Sequence, residues 1–234
     1  MIAKLTRHLF DLRRVLIRSV VVFLLFFLVL YYFSTPLYNF VALPLLNKLP
    51  SNSALIATHL TTPFLAPLEL TLVLAIIITM PYTLYQLWGF IAPGLYPQER
   101  HKIWPLLVAS IVLFYCGVLF AYWVVLPLLF RFFVAITPAT VTLMPDMGQY
   151  LDLILKLFLA FGLAFEVPII TIVLLQTKIV NLASVSKARP YIIVGAFILG
   201  MLLTPPDVVS QILLAVPLWL LFELGILAAR WFLL

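Results

Sequence analysis

Long apolar runs separated by short polar islands leave this chain little choice of solvent. Between Val15 and Phe33 the only charged residue is Arg18, and several later stretches repeat the pattern. A helix needs about 20 apolar residues to cross the roughly 30 Å hydrocarbon core of a bilayer. Of the 234 residues, 65% are hydrophobic and 9% charged, against about 25% charged in soluble domains. Such a chain cannot cover its apolar surface in water, so the expected class is an all-α integral membrane protein.

The spacing predicts six spans in one membrane domain over residues 1–234: about 15–33, 68–90, 105–130, 151–175, 191–203 and 211–228. The third is longer than a crossing requires, so it is expected to tilt or project. The last two are expected to be short. Residues 34–66 carry Pro36, Pro44, Pro50 and Pro63 between apolar patches too short to span, which predicts short helices at the membrane surface. Pro81 lies within the second span and predicts a kink. Thr204-Pro-Pro-Asp207 makes the turn between the last two spans. There Thr204 is the expected cap of the final helix, with Pro205 at its first position and Asp207 near its positive end.

Residues 1–14 place Leu5, Leu9 and Leu12 at helical spacing, continued by Leu16, among Lys4, Arg7, Arg13 and Arg14. This predicts an amphipathic helix lying on the membrane surface. Arg13-Arg14 before an apolar run imitates an export signal, but Arg18 interrupts the run and no small-residue cleavage site follows. Eleven of the 14 Lys and Arg residues fall on the side of both termini and of the loop after the second span. By the positive-inside rule that side is cytoplasmic. The same placement accounts for the net charge of +6 without nucleic acid.

No phosphate-binding loop, HExxH, GxSxG or GxGxxG is present. Cys116 is the only cysteine and has no metal-ligand companions. No enzyme chemistry, cofactor or metal is expected. What is left to carry function is a small set of polar residues. The island Phe90-Ile-Ala-Pro-Gly-Leu-Tyr-Pro-Gln-Glu-Arg-His-Lys102 offers Glu99 on a basic face. Asp11 lies on the same face, with Arg7 and Arg14 as helical neighbours. Each carboxylate either pairs locally or receives a cationic partner, for which arginine is suited by its paired donors. Glu166 sits inside an apolar run, where an ionised carboxylate is expensive. It is protonated, faces a wet cavity, or pairs, with Gln211, Thr204 and Tyr122 as candidate contacts. Asp152 and Lys156 read as a local i, i+4 pair. Glu69 and Glu223 are expected to reach an interface or cavity.

Several motifs taken together carry a family resemblance. They are His8-Leu-Phe-Asp-Leu-Arg13, Phe90-Ile-Ala-Pro-Gly-Leu-Tyr96 with Glu99-Arg100, Phe161-Gly-Leu-Ala-Phe-Glu-Val-Pro168, Arg189-Pro-Tyr191, and Gly200-Met-Leu-Leu-Thr-Pro-Pro-Asp207. Over essentially its whole length the chain resembles the TatC family, the multi-spanning receptor subunits of twin-arginine protein translocases. The resemblance implies a receptor for the twin-arginine signal peptides of folded proteins. It implies work with single-span TatA- and TatB-type subunits, driven by the proton-motive force, in a bacterial inner membrane, with copies of the chain assembling in a receptor complex. It assigns signal-peptide contact to Asp11, Arg13, Phe90, Tyr96 and Glu99. It links Pro44, Pro81 and Asp207 to activity. It places Glu166 at a cavity, and Met201, Thr204 and Gln211 where partner helices dock.

Two features depart from the family pattern. Asp11 stands where the family usually has Glu, one methylene longer. The chain also stops at Leu234 with almost no polar tail, so no tail-based role in assembly is expected. Two rival readings are a proton-coupled secondary transporter using Glu166 and an assembly factor without substrate. The first is disfavoured by the absence of an internal repeat and of enough intramembrane polar groups to hold a solute.

Overall fold

A computed structural model describes residues 2–46, 56–91, 103–138, 144–177, 180–204 and 207–233. These residues form ten α-helices: α1 Ile2–Tyr32, α2 Ser34–Leu46, α3 Thr62–Ile91, α4 Ile103–Phe120, α5 Leu126–Ile136, α6 Met147–Ala164, α7 Val167–Gln176, α8 Leu182–Lys187, α9 Arg189–Leu203 and α10 Val208–Leu233. A π-helical turn, Ala121–Val125, joins α4 to α5. The described residues contain no strand, only an isolated bridge between Ile56 and Asp146. Five stretches are long and apolar enough to cross a membrane: Leu12–Tyr32, Thr62–Phe90, Ile103–Ile136, Met147–Gln176 and Val208–Trp231. The fifth expected span, 191–203, corresponds to α9, whose 15 residues rise about 22 Å, short of a full crossing.

Several expectations change at this level. The N-terminal amphipathic segment is not a separate helix. Residues 2–32 contain no Pro or Gly, so nothing interrupts α1, which runs unbroken into the first span. The last span is not short, because α10 has 26 residues and continues through Pro217. The third span extends to Ile136, in keeping with the expected excess length. The cap of α10 is Asp207, whose Oδ1 accepts from the Ser210 N–H at 2.7 Å. Thr204 instead ends α9, with its N–H and its Oγ1 both donating to the Gly200 carbonyl.

The prolines are accommodated locally. α3 continues through Pro67 and Pro81. On either side of Pro81 the Thr79 hydroxyl donates to the Ala75 carbonyl at 2.7 Å and the Thr83 hydroxyl to the Thr79 carbonyl at 3.1 Å, bonds that keep these hydroxyls satisfied within the helix. Before Pro127 the helix widens into the π turn, where the Leu126 N–H reaches the Ala121 carbonyl. Pro168 has no N–H to offer the Ala164 carbonyl, and the fourth span divides there into α6 and α7.

The described chain divides into two compact units, residues 1–40 with 64–111 and residues 41–63 with 112–234. In the first unit Leu70, Ala75, Leu84, Trp88, Leu106 and Ser110 are buried, whereas no residue of the α1 span is. In the second unit the helices approach most closely at glycines. A Cβ on Gly117 would stand 2.4 Å from the Phe161 carbonyl oxygen, and one on Gly162 would meet the Phe114 ring at 2.7 Å. A Cβ on Gly225 would stand 3.0 Å from the Pro168 Cα. These contacts let α4 cross α6, and α7 lie along α10, with backbones nearly touching, as small residues allow in membranes.

Candidate functional site

The residues the resemblance ties to signal peptides are described unequally. Arg13 is exposed on α1, and Phe90 is half-buried near the end of α3. Asp11 lies in α1, but its side chain is outside the described residues. Tyr96 and Glu99 lie in the segment between α3 and α4, also outside them. Pro81 is half-buried within α3, and Pro44 lies in α2 with its side chain outside the described set.

The second unit holds the remaining candidates. Glu166 is 6% exposed at the α6–α7 junction. Its N–H donates to the Leu163 carbonyl at 3.1 Å, and its carbonyl accepts from the Ile170 N–H at 2.9 Å. Its carboxylate makes no capping bond to α7. Phe120 holds the junction, with its ring centroid 5.6 Å from both Phe161 and Phe165.

Met201, Thr204, Asp207 and Gln211 gather at the α9–α10 turn. Met201 is 51% exposed and Thr204 is buried. The Gly200 Cα faces the Gln211 backbone, where an added Cβ would stand 3.3 Å from the Gln211 carbonyl oxygen. Glu166 does not join this cluster. Pro168 packs on Gly225, which lies 14 residues, about 21 Å of helix, beyond Gln211. The expected contacts of Glu166 with Gln211 or Thr204 are therefore not made, and Thr204 uses its hydroxyl on α9 itself.

Two polar arrangements went unread in the sequence. The first joins Arg189 to Glu223. Arg189 Nη2 donates to Glu223 Oε2 at 2.8 Å. Arg189 Nε stands 2.8 Å from Glu223 Oε1, as an ion-pair contact without a hydrogen bond's alignment. A charge within a span is expensive unless paired, and this pair answers that for Glu223. The signal was present. Folding the chain back at Thr204–Asp207 sets Arg189, 15 residues before the turn, against Glu223, 16 after it.

The second arrangement centres on Asp146, just before α6. Its Oδ1 accepts from the Gly148 and Gln149 N–H groups at 2.9 Å each. Its Oδ2 accepts from the Thr58 N–H at 2.9 Å and the Thr58 hydroxyl at 2.7 Å. The Gln149 N–H and Thr58 lead in holding its pKa down at about 2. An Asp just before a helix start is the sequence signature of such a cap. The Asp152–Lys156 pair is formed as expected, at 2.6 Å. Among the described residues no three His, Cys, Asp or Glu side chains gather in metal-binding geometry.

This arrangement can be set beside known proteins. The profile of the family described as Sec-independent protein translocase protein (TatC) matches residues 7–217. The TatC protein of Azotobacter chroococcum is 53% identical over 95% of this chain and 87% of its own length. That of Haemophilus influenzae is 54% identical over 97% and 89%. A crystal structure of the twin arginine translocase receptor TatC superposes with a TM-score of 0.87, at 38% identity over 95% of this chain and 98% of that one. With the family's profile matched across all but the two ends, and its known fold reproduced nearly end to end, the chain belongs to the TatC family of Sec-independent protein translocase components.

Proposed function

We propose that this chain is the signal-peptide receptor of a twin-arginine translocase. The observation that carries this reading is the likeness, over 95% of the chain, to a protein described as the twin arginine translocase receptor. In this reading Asp11 and Glu99 receive the two signal arginines through charge-assisted hydrogen bonds, which outlast competition from water better than neutral ones. Arg13, Phe90 and Tyr96 shape the same surface. The signal arginines stay at the membrane surface, because burying guanidinium at mid-bilayer costs at least about 2.5–3.5 kcal/mol.

The termini and the α3–α4 loop face the cytoplasm of a bacterial inner membrane, as the lysine and arginine bias argues, and α9 makes the fifth of six crossings, a short one. Single-span TatA- and TatB-type subunits dock near Met201, Thr204 and Gln211. Copies of the chain assemble in the receptor complex, and the proton-motive force drives transport.

The test is photocrosslinking of a twin-arginine signal peptide to the α3–α4 loop, with a twin-lysine peptide as control. Glu99→Gln in a properly inserted protein is expected to weaken binding by about 1.5–3 kcal/mol, the worth of a hydrogen bond to a charged group. Asp11→Ala is expected to weaken it less, because Asp11 is shorter and shares its charge with Arg7 and Arg14. Unchanged affinity in Glu99→Gln, with equal crosslinking of the two peptides, overturns the reading.

A further inference from the structure

α9 and α10 do not close on each other along their whole length. Ile193 and Phe197 of α9, with Ala215, Val216 and Trp219 of α10, surround an apolar groove of about 140 Å³. Ala215 is buried and forms its floor, while the other four are between 36% and 43% exposed. The volume is close to that of an engineered cavity, about 150 Å³, that takes up benzene. The groove therefore suits a short length of hydrocarbon.

A charged group stands at one end of it. The contacts of Arg189 with Glu223 and of Gly200 with Gln211 fix an antiparallel register. Arg189 precedes Ile193 by one helical turn, and Glu223 follows Trp219 by one turn, so the ion pair lies just beyond the groove. From Arg189 to Phe197 the helix rises about 12 Å, most of the roughly 15 Å in half a hydrocarbon core. The Arg189 side chain is 43% exposed, and its guanidinium keeps donors that Glu223 does not use. Lys187, exposed at the end of α8, adds a second cation two residues away. Basic groups at the end of a crevice between membrane helices are suited to anionic lipid headgroups.

We infer that the α9–α10 groove binds an anionic phospholipid, with its phosphate at Arg189 and Lys187 and an acyl chain along Ile193, Phe197, Val216 and Trp219. A partner helix filling the groove with an aliphatic side chain would leave the remaining Arg189 donors unmatched, whereas a phosphate supplies acceptors for them. The inference does not depend on the signal-peptide reading.

The test is native mass spectrometry of the whole chain, delipidated in a neutral detergent and titrated with phosphatidylglycerol or with phosphatidylcholine of the same chains. Phosphatidylglycerol is expected to be retained at least about fivefold better, the effect of one basic side chain near a headgroup. Glu223→Gln, which leaves Arg189 charged and unneutralised, is expected to raise that preference. Arg189→Gln with Glu223→Gln, which orphans no carboxylate, is expected to lower it severalfold. Val216→Trp, which fills the groove from its exposed side, is expected to lower retention of both lipids. The proposal is overturned if the headgroup preference is absent or the same in all these proteins. It is also overturned if Val216→Trp leaves phosphatidylglycerol retention unchanged. Crosslinking of Val216→Cys to a single-span subunit with no lipid preference assigns the groove to a protein instead.

Discussion

The α6–α7 span carries a carboxylate at the start of each of its two helices, and the two are used in opposite ways. Asp146 precedes α6 in an extended conformation, outside the span, and all its acceptor capacity goes to four donors. Glu166 precedes α7 in a helical conformation and gives that helix no side-chain bond. An extended N-cap turns its side chain back over the first turn, where the orphan N–H groups lie. A helical residue at the same position points its side chain outward. Pro168 removes one of those orphan donors at the α7 start, so little is lost by leaving the cap unmade. Asp146 fastens one end of the span, whereas Glu166 lies buried at the junction without capping α7. What differs is backbone conformation, not the chemistry of the acid.

The largest effect expected on this comparison comes from the glycine that lets α4 approach the junction. Gly117→Val drives side-chain carbon into the Phe161 backbone, which cannot move aside as a flexible side chain would. Overpacking of this kind costs about 1–3 kcal/mol or more. It should appear as the greatest loss of melting temperature in detergent, while Gly89→Val, where an added Cβ meets nothing within 4 Å, should show a much smaller one. Equal losses at the two glycines would mean that the α4–α6 crossing does not hold the junction.

Asp146→Ala should follow, at about 0.5–2 kcal/mol for a lost cap, with Asp146→Asn retaining part. Its pH dependence has a definite sign. The folded-state pKa is lowered from 3.8 to about 2. The stabilisation is therefore fully present above about pH 4 and is lost as pH falls through 2. Thermal unfolding of Asp146→Ala and of the parent should converge across that window, and a constant gap down to pH 2 would count against the cap. Thr58→Val, which removes the hydroxyl but keeps the Thr58 N–H bond, should cost less, near 1 kcal/mol, measured in the same scans.

The smallest stability change is expected from Glu166→Gln, because the side chain gives α7 no capping bond and the amide keeps its size and shape. Its effect belongs to transport. Glu166→Ala should keep most signal-peptide binding, lose export of a folded reporter, and alter crosslinks to the single-span subunits. Poor peptide binding with normal export and crosslinks would place Glu166 in the recognition surface and end the contrast with Asp146.

Much of this was legible without coordinates. Bilayer thickness sets a length that apolar runs either meet or miss, so the first four long spans and the shortness of α9 follow from the sequence, whereas the full length of α10, which continues through Pro217, does not. The Asp152–Lys156 pair follows from helical spacing alone. The motifs around Phe90, Glu166 and Asp207 were enough to mark the family. What local pattern could not decide was how proline acts in each setting. Pro67, Pro81 and Pro217 are absorbed within helices, Pro127 is met by a π turn, and Pro168 divides a span, because neighbouring backbone and hydroxyl groups determine which carbonyls find other donors. Nor could it decide which polar group meets which. Asp207 rather than Thr204 caps α10, because Thr204 is extended and turned back onto Gly200. Glu223 is paired rather than solvated, because the hairpin register brings Arg189 opposite to it. Glu166 is kept from Gln211, because the close contact of Pro168 with Gly225 fixes α7 against the far part of α10. Spacing along one helix is a local property of the chain; the register between helices is set by where glycines let two backbones touch, and that only the tertiary structure decides.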